Sequence, residues 1–76
     1  MNDEIEEKLK KEKNVSFVNK IVYNNKNYLK AIKMMKSGIE YIYYEVENGE
    51  IKEVGDKKLL TYFKENYEIN EGSIYH

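Results

Sequence analysis

The sequence predicts an α+β fold, in which a four-stranded antiparallel β-meander carries a C-terminal helix packed on one face and a charged N-terminal helix precedes it. Three observations support this prediction. β-favouring residues flank an Asn-Gly pair at 48 and 49, apolar residues alternate along four short segments, and an amphipathic segment follows them. Short loops join the consecutive strands, which therefore pair antiparallel in the order one to four.

The first thirteen residues are nearly all Glu and Lys after the start and predict a charged helix. Glu-Lys pairs spaced four residues apart, in the favourable order, each stabilise such a helix by about 0.2 to 0.5 kcal/mol. Ile5 and Leu9 give it only a narrow apolar stripe. Three interpretations stay open, because so thin a stripe anchors a helix weakly: the segment 1–13 frays in solution, docks on one edge of the sheet, or binds a partner.

Four segments carry the apolar alternation that is typical of strands. The predicted strands are 15–23, 28–35, 39–47 and 50–54. Asn24 to Asn27 and Lys36 to Gly38 supply the first two turns, since Asn and Gly tolerate a left-handed backbone. Asn48-Gly49 supplies the third as a type I′ turn, which needs two positive φ angles. Which face of the sheet is buried stays open at this point.

The last predicted element is a helix from residue 57 to about residue 66. Gly55-Asp56 breaks the fourth strand and caps this helix, whose apolar residues recur at helical spacing. The tail 67–76 either returns as a fifth strand at 73–75 or stays loose, and the loose form is favoured. The predicted core is Phe17, Ile21, Ile32, Ile42, Tyr44, Val46, Ile51, Leu59, Leu60 and Phe63.

Composition excludes several classes of function. Seventy-six residues predict one small domain, 1–76, with 13 basic residues, all of them lysine, against 14 acidic ones. The net charge of −1 disfavours nucleic acid and anionic lipid as partners, and the missing arginine weakens phosphate and guanine recognition. There is no cysteine, no apolar signal segment at the start and no stretch long enough to span a membrane. We therefore predict a cytoplasmic protein without membrane contact.

The sequence offers little for catalysis. Its one histidine, His76, lies at the end of the predicted loose tail. The glutamates near the third turn alternate with apolar residues, as the solvated face of a hairpin does, and show no EF-hand spacing. Serines and threonine lack a neighbouring base, and the glycines are scattered among the turns. We predict no enzyme activity, no catalytic residue, no metal and no cofactor.

Tyrosine is the residue type that points to a function. Eight tyrosines in 76 residues exceed what so small a core can bury with every hydroxyl satisfied, so some are expected on the surface. Tyrosine is enriched at protein interfaces because it combines a large contact area with a polar tip. The predicted partner-binding residues are Tyr28, Tyr41 and Tyr43, with Lys30 and Lys33 at the rim. The alternative interpretation is that AT-rich coding supplies tyrosine where Phe or Leu would otherwise stand.

These observations predict a non-catalytic protein-protein interaction module, such as a small regulator, inhibitor or accessory subunit from an AT-rich bacterium or one of its mobile elements. The partner is expected to be a protein, and the exposed strand edges of so small a sheet also allow a homodimer. The alternative function is binding of single-stranded nucleic acid, chiefly RNA, with tyrosines stacking on bases and lysines holding phosphates. Glutamates on the same two strands disfavour that alternative.

One resemblance to a known family runs through most of these segments. The resemblance is based on the segments Tyr23 to Leu29, Tyr41 to Ile51, and Leu59-Leu60 with Phe63. In them the chain resembles the YrzB-like family of short bacterial proteins of unknown function, over roughly residues 15 to 66. The family similarly runs through strands, an acidic Gly turn, a short strand and a closing amphipathic helix. The resemblance implies the same fold and carries over no catalytic residues.

Overall fold

The computed structural model describes residues 2–68. Its elements are α1 (Asn2–Glu12), β1 (Phe17–Tyr23), β2 (Lys26–Met35), β3 (Gly38–Glu47), β4 (Glu50–Glu53) and α2 (Lys57–Tyr67). The strands form one sheet in the order β1-β2-β3-β4, and each neighbouring pair is antiparallel. The predicted α+β meander with a helix at each end is confirmed. The two alternatives for the tail fall on 69–76, outside the described residues.

Two of the three turns owe their tightness to residues with positive φ. Asn48 and Gly49 have φ of 53° and 80°, which confirms the chain reversal predicted at this pair. Asn24 and Asn25 have φ of 53° and 62°, so the first turn has the same two-residue form. It is shorter than predicted, because Lys26 and the residue after it already pair with β1. Strand β2 consequently starts two residues earlier than the alternation indicated.

The sheet lies between the two helices. Leu29, Ala31 and Tyr44 are buried together with α1, whereas Tyr28 and Tyr43 are buried with α2. Adjacent residues of a strand point to opposite sides, so these two groups of residues lie on opposite faces of the sheet. We call them the α1 face and the α2 face. Each side of the meander is therefore covered, at least over part of its length, by one helix.

Helix α1 packs on a face of the sheet, which differs from docking on an edge, one of the three interpretations that the sequence left open. Its narrow stripe is enough, because Leu9 and Ile5 pack against Leu29 and the small Ala31, and Leu9 is only 1% exposed. The helix ends where Asn14 adopts a left-handed backbone with φ of 56°. The chain then enters β1 at Phe17, two residues later than predicted, because Val15 lies before the strand and is buried in the cluster with α1.

The predicted core is confirmed in part. Ile21, Tyr44 and Phe63 are buried. Six others are half-buried: Ile32, Ile42, Val46, Ile51, Leu59 and Leu60. All of these except Ile32 pack against one of the two clusters. Phe17 was predicted as core and this is wrong, since 58% of its surface is exposed. It is the first residue of β1, on the edge strand, where neither helix covers it.

The position and direction of α2 along the sheet determine which part of the α2 face is covered. Asp56 caps the helix as predicted, because its Oδ1 accepts from the backbone N–H groups of Lys58 at 2.9 Å and Leu59 at 3.4 Å. The start of the helix shares a cleft with the Asn24-Asn25 hairpin end of the sheet. Its last carbonyl, that of Tyr67, accepts a hydrogen bond from Lys30 Nζ near the middle of β2. Helix α2 thus covers one half of its face and leaves the other half open.

The helices are short as well as partly polar. Among residues 2–68, no helix has the length and apolar character needed to cross a membrane.

Candidate functional site

Five apolar side chains lie together on the uncovered half of the α2 face. They are Phe17, Ile32, Met34, Ile39 and Tyr41, and we call this group the apolar surface. The strand register joins them, since Phe17 pairs with Ile32, Ile32 pairs with Tyr41, and Met34 pairs with Ile39. Phe17 and Met34 are each 58% exposed and Ile39 is 48% exposed. A contiguous exposed apolar group of this kind marks an interaction site more often than it occurs by chance.

Lys30 and Tyr41 form the border between the apolar surface and α2. The Lys30 ammonium lies 5.7 Å from the centroid of the Tyr41 ring, within the range of a cation–π interaction. The same ammonium donates to the backbone carbonyl of Tyr67 at the end of α2. Both side chains are half-buried. Two of the five predicted partner-binding residues are therefore adjacent, at the rim of an open surface.

Tyr28 and Tyr43 were expected on an open surface, and this expectation is wrong. Both are buried, because α2 lays the Phe63 ring across them. The ring centroids of Tyr28 and Phe63 are 5.1 Å apart in an edge arrangement, and those of Tyr43 and Phe63 are 5.0 Å apart in a stacked one. In this fold the two tyrosines lie between the sheet and α2, where they contact Phe63, and a partner cannot contact them directly.

Lys33 lies on the opposite side of the sheet from the other predicted residues. Alternation along β2 puts Lys33 on the face of Ala31, and its register partner on β3 is Glu40. Lys30 and Tyr41 point to the α2 face. The five predicted residues therefore do not form one surface, and Lys33 is separated from the apolar surface by the thickness of the sheet.

The Tyr43 hydroxyl fixes the end of α2 to the sheet. It donates to the Glu68 carboxylate at 2.8 Å, and its oxygen is 3.5 Å from the Phe63 carbonyl oxygen. Burial raises the pKa of this hydroxyl well above its ordinary value, and the hydrogen bond to Glu68 raises that pKa further. The neutral phenol is the form that holds the helix end in place.

This raised pKa predicts how stability depends on pH. Because the folded-state pKa of Tyr43 lies above that of the unfolded chain, its contribution is fully present below about pH 10 and is lost as the pH rises towards the folded-state pKa. We expect urea unfolding to show a falling free energy of unfolding above about pH 10. Tyr43→Phe should reduce this decrease in the free energy of unfolding. Tyr62→Phe, at a more exposed position in α2, should leave the decrease unchanged. Parallel pH curves for wild type and Tyr43→Phe would contradict this assignment.

Four members of the apolar surface were not predicted as site residues. Phe17 and Ile32 were assigned to the core, and Met34 and Ile39 were given no role. A signal for them exists in the sequence: Met34 and Met35 are consecutive, so apolar side chains point to both faces at the end of β2, and Ile39 follows directly after the turn. Apolar side chains on both faces of a strand end are buried only if another element packs on each face. The two short helices of this sequence are long enough to cover only part of each face.

The chemistry available at this site is that of recognition. In the described part of the chain, no three or more His, Cys, Asp or Glu side chains come together in a way that could hold a metal ion. His76 lies outside the described residues. The apolar surface presents aromatic, thioether and aliphatic groups with one ammonium at its rim, which suits burial against another apolar surface.

No family model, curated protein or solved structure matches this chain. The resemblance to the YrzB-like family therefore stays a prediction.

Proposed function

We propose that this protein is a non-catalytic interaction module that binds a protein partner through the apolar surface, and that it serves as a small regulator, inhibitor or accessory subunit. One observation carries the proposal: five apolar side chains on three adjacent strands lie together on the half of the α2 face that the helix leaves open, and three of them, Phe17, Met34 and Ile39, are about half exposed or more. Protein interfaces are depleted in charge at the centre and enriched in aromatic residues and Met. Phe17 and Met34 fit the apolar centre, and Tyr41 with Lys30 fits the rim nearest α2.

A protein partner is favoured over a single-stranded nucleic acid by the placement of the lysines. Lys20 and Lys33 point to the α1 face, whereas Lys30 and Lys52 point to the α2 face. Nucleic-acid binding through stacked bases needs its cations along the same face as the aromatic groups. On the α2 face, Lys52 is opposite Glu45 in the register, which further weakens a positive track.

As part of the same proposal, the module acts in the cytoplasm of a bacterium. The absence of cysteine suits a reducing compartment, although it does not require one. The lysine-rich, arginine-free composition is typical of AT-rich coding, and the resemblance to the YrzB-like family points in the same direction.

The proposal is tested by capture with matched surface variants. The tagged chain, incubated with bacterial lysate, should retain one specific protein, and Phe17→Ser or Tyr41→Ala should each weaken the purified complex by about 10-fold or more, as expected for aromatic anchors of an interface. Val22→Ser is the matched control, because Val22 is also an apolar residue of β1, 71% exposed, but points to the α1 face. Urea midpoints should be nearly equal for wild type, Phe17→Ser and Val22→Ser, whereas Tyr41→Ala should lower the midpoint because Tyr41 also packs against the cluster beneath α2.

Two results would overturn the proposal. Equal loss of binding in the Val22→Ser variant would show that the apolar surface is not the contact region. Binding of a single-stranded RNA oligonucleotide with affinity that falls steeply with salt, and that depends on Tyr41, would favour the nucleic-acid function instead.

A further inference from the structure

The turn between β3 and β4 places a side-chain amide next to an unhindered backbone nitrogen. Asn48 and Gly49 are exposed at the tip of this hairpin and have φ of 53° and 80°. In a two-residue type I′ turn the closing hydrogen bond joins the flanking residues, which here are the register partners Glu47 and Glu50. The N–H of Gly49 is therefore left to the solvent.

Glycine makes this nitrogen accessible to the side chain that precedes it. Gly49 has no Cβ, and a Cβ added there would meet no atom of the described residues within 4 Å apart from its chain neighbours. The turn thus projects into open space. A bond from the Gly49 nitrogen to Cγ of Asn48 closes a five-membered ring, which is a readily formed ring size.

We propose that Asn48 is a site of covalent self-modification, at which its side-chain amide is converted to a carboxylate. The Gly49 nitrogen attacks Cγ of Asn48, the Cγ–Nδ2 bond breaks, and ammonia leaves with the proton that the Gly49 nitrogen has given up to the solvent. One water molecule then opens the succinimide ring at either of its carbonyls. The products are aspartate and isoaspartate, and water is the only reactant added to the chain.

The first turn of the same sheet offers an internal comparison. Asn24 has the same φ of 53° and the same first position in a two-residue turn, but Asn25 follows it instead of glycine. The Asn25 side chain crowds the nitrogen that would have to approach Cγ of Asn24, and it restricts the backbone more than glycine does. We therefore expect Asn48 to react faster than Asn24, although the two turns have the same form.

Conversion of Asn48 weakens the hairpin in two ways. The new carboxylate lies between Glu47 and Glu50, which are already opposite each other in the register. Isoaspartate also lengthens the main chain within the turn, and loop length sets the register of a hairpin. Strand β4 depends on that register, because its Ile51 packs against the cluster beneath α1. The stability of the protein should therefore fall as the chain ages.

Peptide mass spectrometry after incubation of the full chain in mildly alkaline buffer measures both turns at once. A protease that cleaves after lysine gives the peptide 37–52, whose only asparagine is Asn48, and the peptide 21–26, which contains Asn24 and Asn25. We expect several-fold faster conversion of amide to acid in 37–52 than in 21–26. Asn25→Gly should raise the conversion of 21–26 several-fold, because it places glycine after Asn24.

Asn48→Gly is the matched control for the effect on stability. A Gly-Gly pair also supplies the two positive φ angles of the turn, and it carries no side-chain amide. The urea midpoint of this variant should stay constant during the incubation, whereas the wild-type midpoint should fall as conversion in 37–52 rises.

Two results would overturn the inference. Equal conversion of 37–52 and 21–26 would show that Gly49 does not make Asn48 a preferred site. An Asn48 that stays intact in the folded chain, but is converted in chain unfolded by guanidinium chloride, would show that the folded turn prevents ring closure. Neither measurement uses a partner, so both are independent of the proposed function.

Discussion

Replacing Phe63 with alanine should cost about 3 to 5 kcal/mol of unfolding free energy, a loss comparable to the whole stability expected of a domain this small. Phe63 is fully buried, at 0% exposure, in the centre of α2. Its ring lies 5.0 to 6.0 Å, centroid to centroid, from the rings of Tyr23, Tyr28, Tyr43, Tyr62 and Tyr67. Truncation leaves a cavity between helix and sheet that several bulky rings border and cannot fill.

Urea unfolding followed by far-ultraviolet circular dichroism measures this effect. The Phe63→Ala protein should be largely unfolded without urea or show a much lower midpoint. Lys64→Ala is the matched control, because Lys64 is the exposed neighbour in the same helix and its replacement tests helix propensity alone. A Phe63→Ala midpoint as high as that of the control would mean that α2 does not pack on the sheet as described.

The meander could be predicted from the sequence because its turns are specified locally. Asn48-Gly49 and Asn24-Asn25 supply the positive φ angles of type I′ turns without help from the rest of the chain. The Asp56 cap is equally local, since the carboxylate and the N–H groups that it accepts from lie within three residues. These features determine strand order and register, and with them the fold class.

The distribution of residues between surface and core could not be predicted in the same way. Alternation separates the two sides of a strand, but it does not reveal which helix covers which side. Ile5 and Leu9 looked too few to anchor a helix, yet the small Ala31 beneath them lets α1 approach closely. Covering the second face with α2 then buried Tyr28 and Tyr43, which local sequence had suggested as exposed.

The apolar surface follows from a mismatch of lengths. Helix α2 has 11 residues and spans about 16 Å, whereas β3 has 10 residues and spans about 33 Å. A helix of this length covers only about half of a strand of that length. Both lengths can be predicted from the sequence. Which half of the face stays open depends on the position of α2 along the sheet, which its contacts with Tyr23 and Lys30 define.

Replacing Leu9 with alanine should reduce the unfolding free energy by about 2 to 5 kcal/mol, even though Leu9 belongs to a segment made mostly of Glu and Lys. Its side chain is 1% exposed and packs in the cluster of Leu29, Ala31 and Tyr44. Its carbonyl also accepts from the Lys13 N–H at 2.9 Å, where the helix turns into the sheet. Loss of the side chain opens a cavity at the point where α1 is anchored.

The Leu9 variant tests whether the N-terminal segment belongs to the core or serves as an arm for a partner. If α1 is part of the core, Leu9→Ala lowers the urea midpoint of the whole protein, and strand and helix signals are lost together in one transition. Lys8→Ala, at the exposed neighbouring position, should leave that midpoint nearly unchanged. If α1 is instead an arm for a partner, Leu9→Ala should match Lys8→Ala in stability, and the α1 face would have to be covered by something other than this helix.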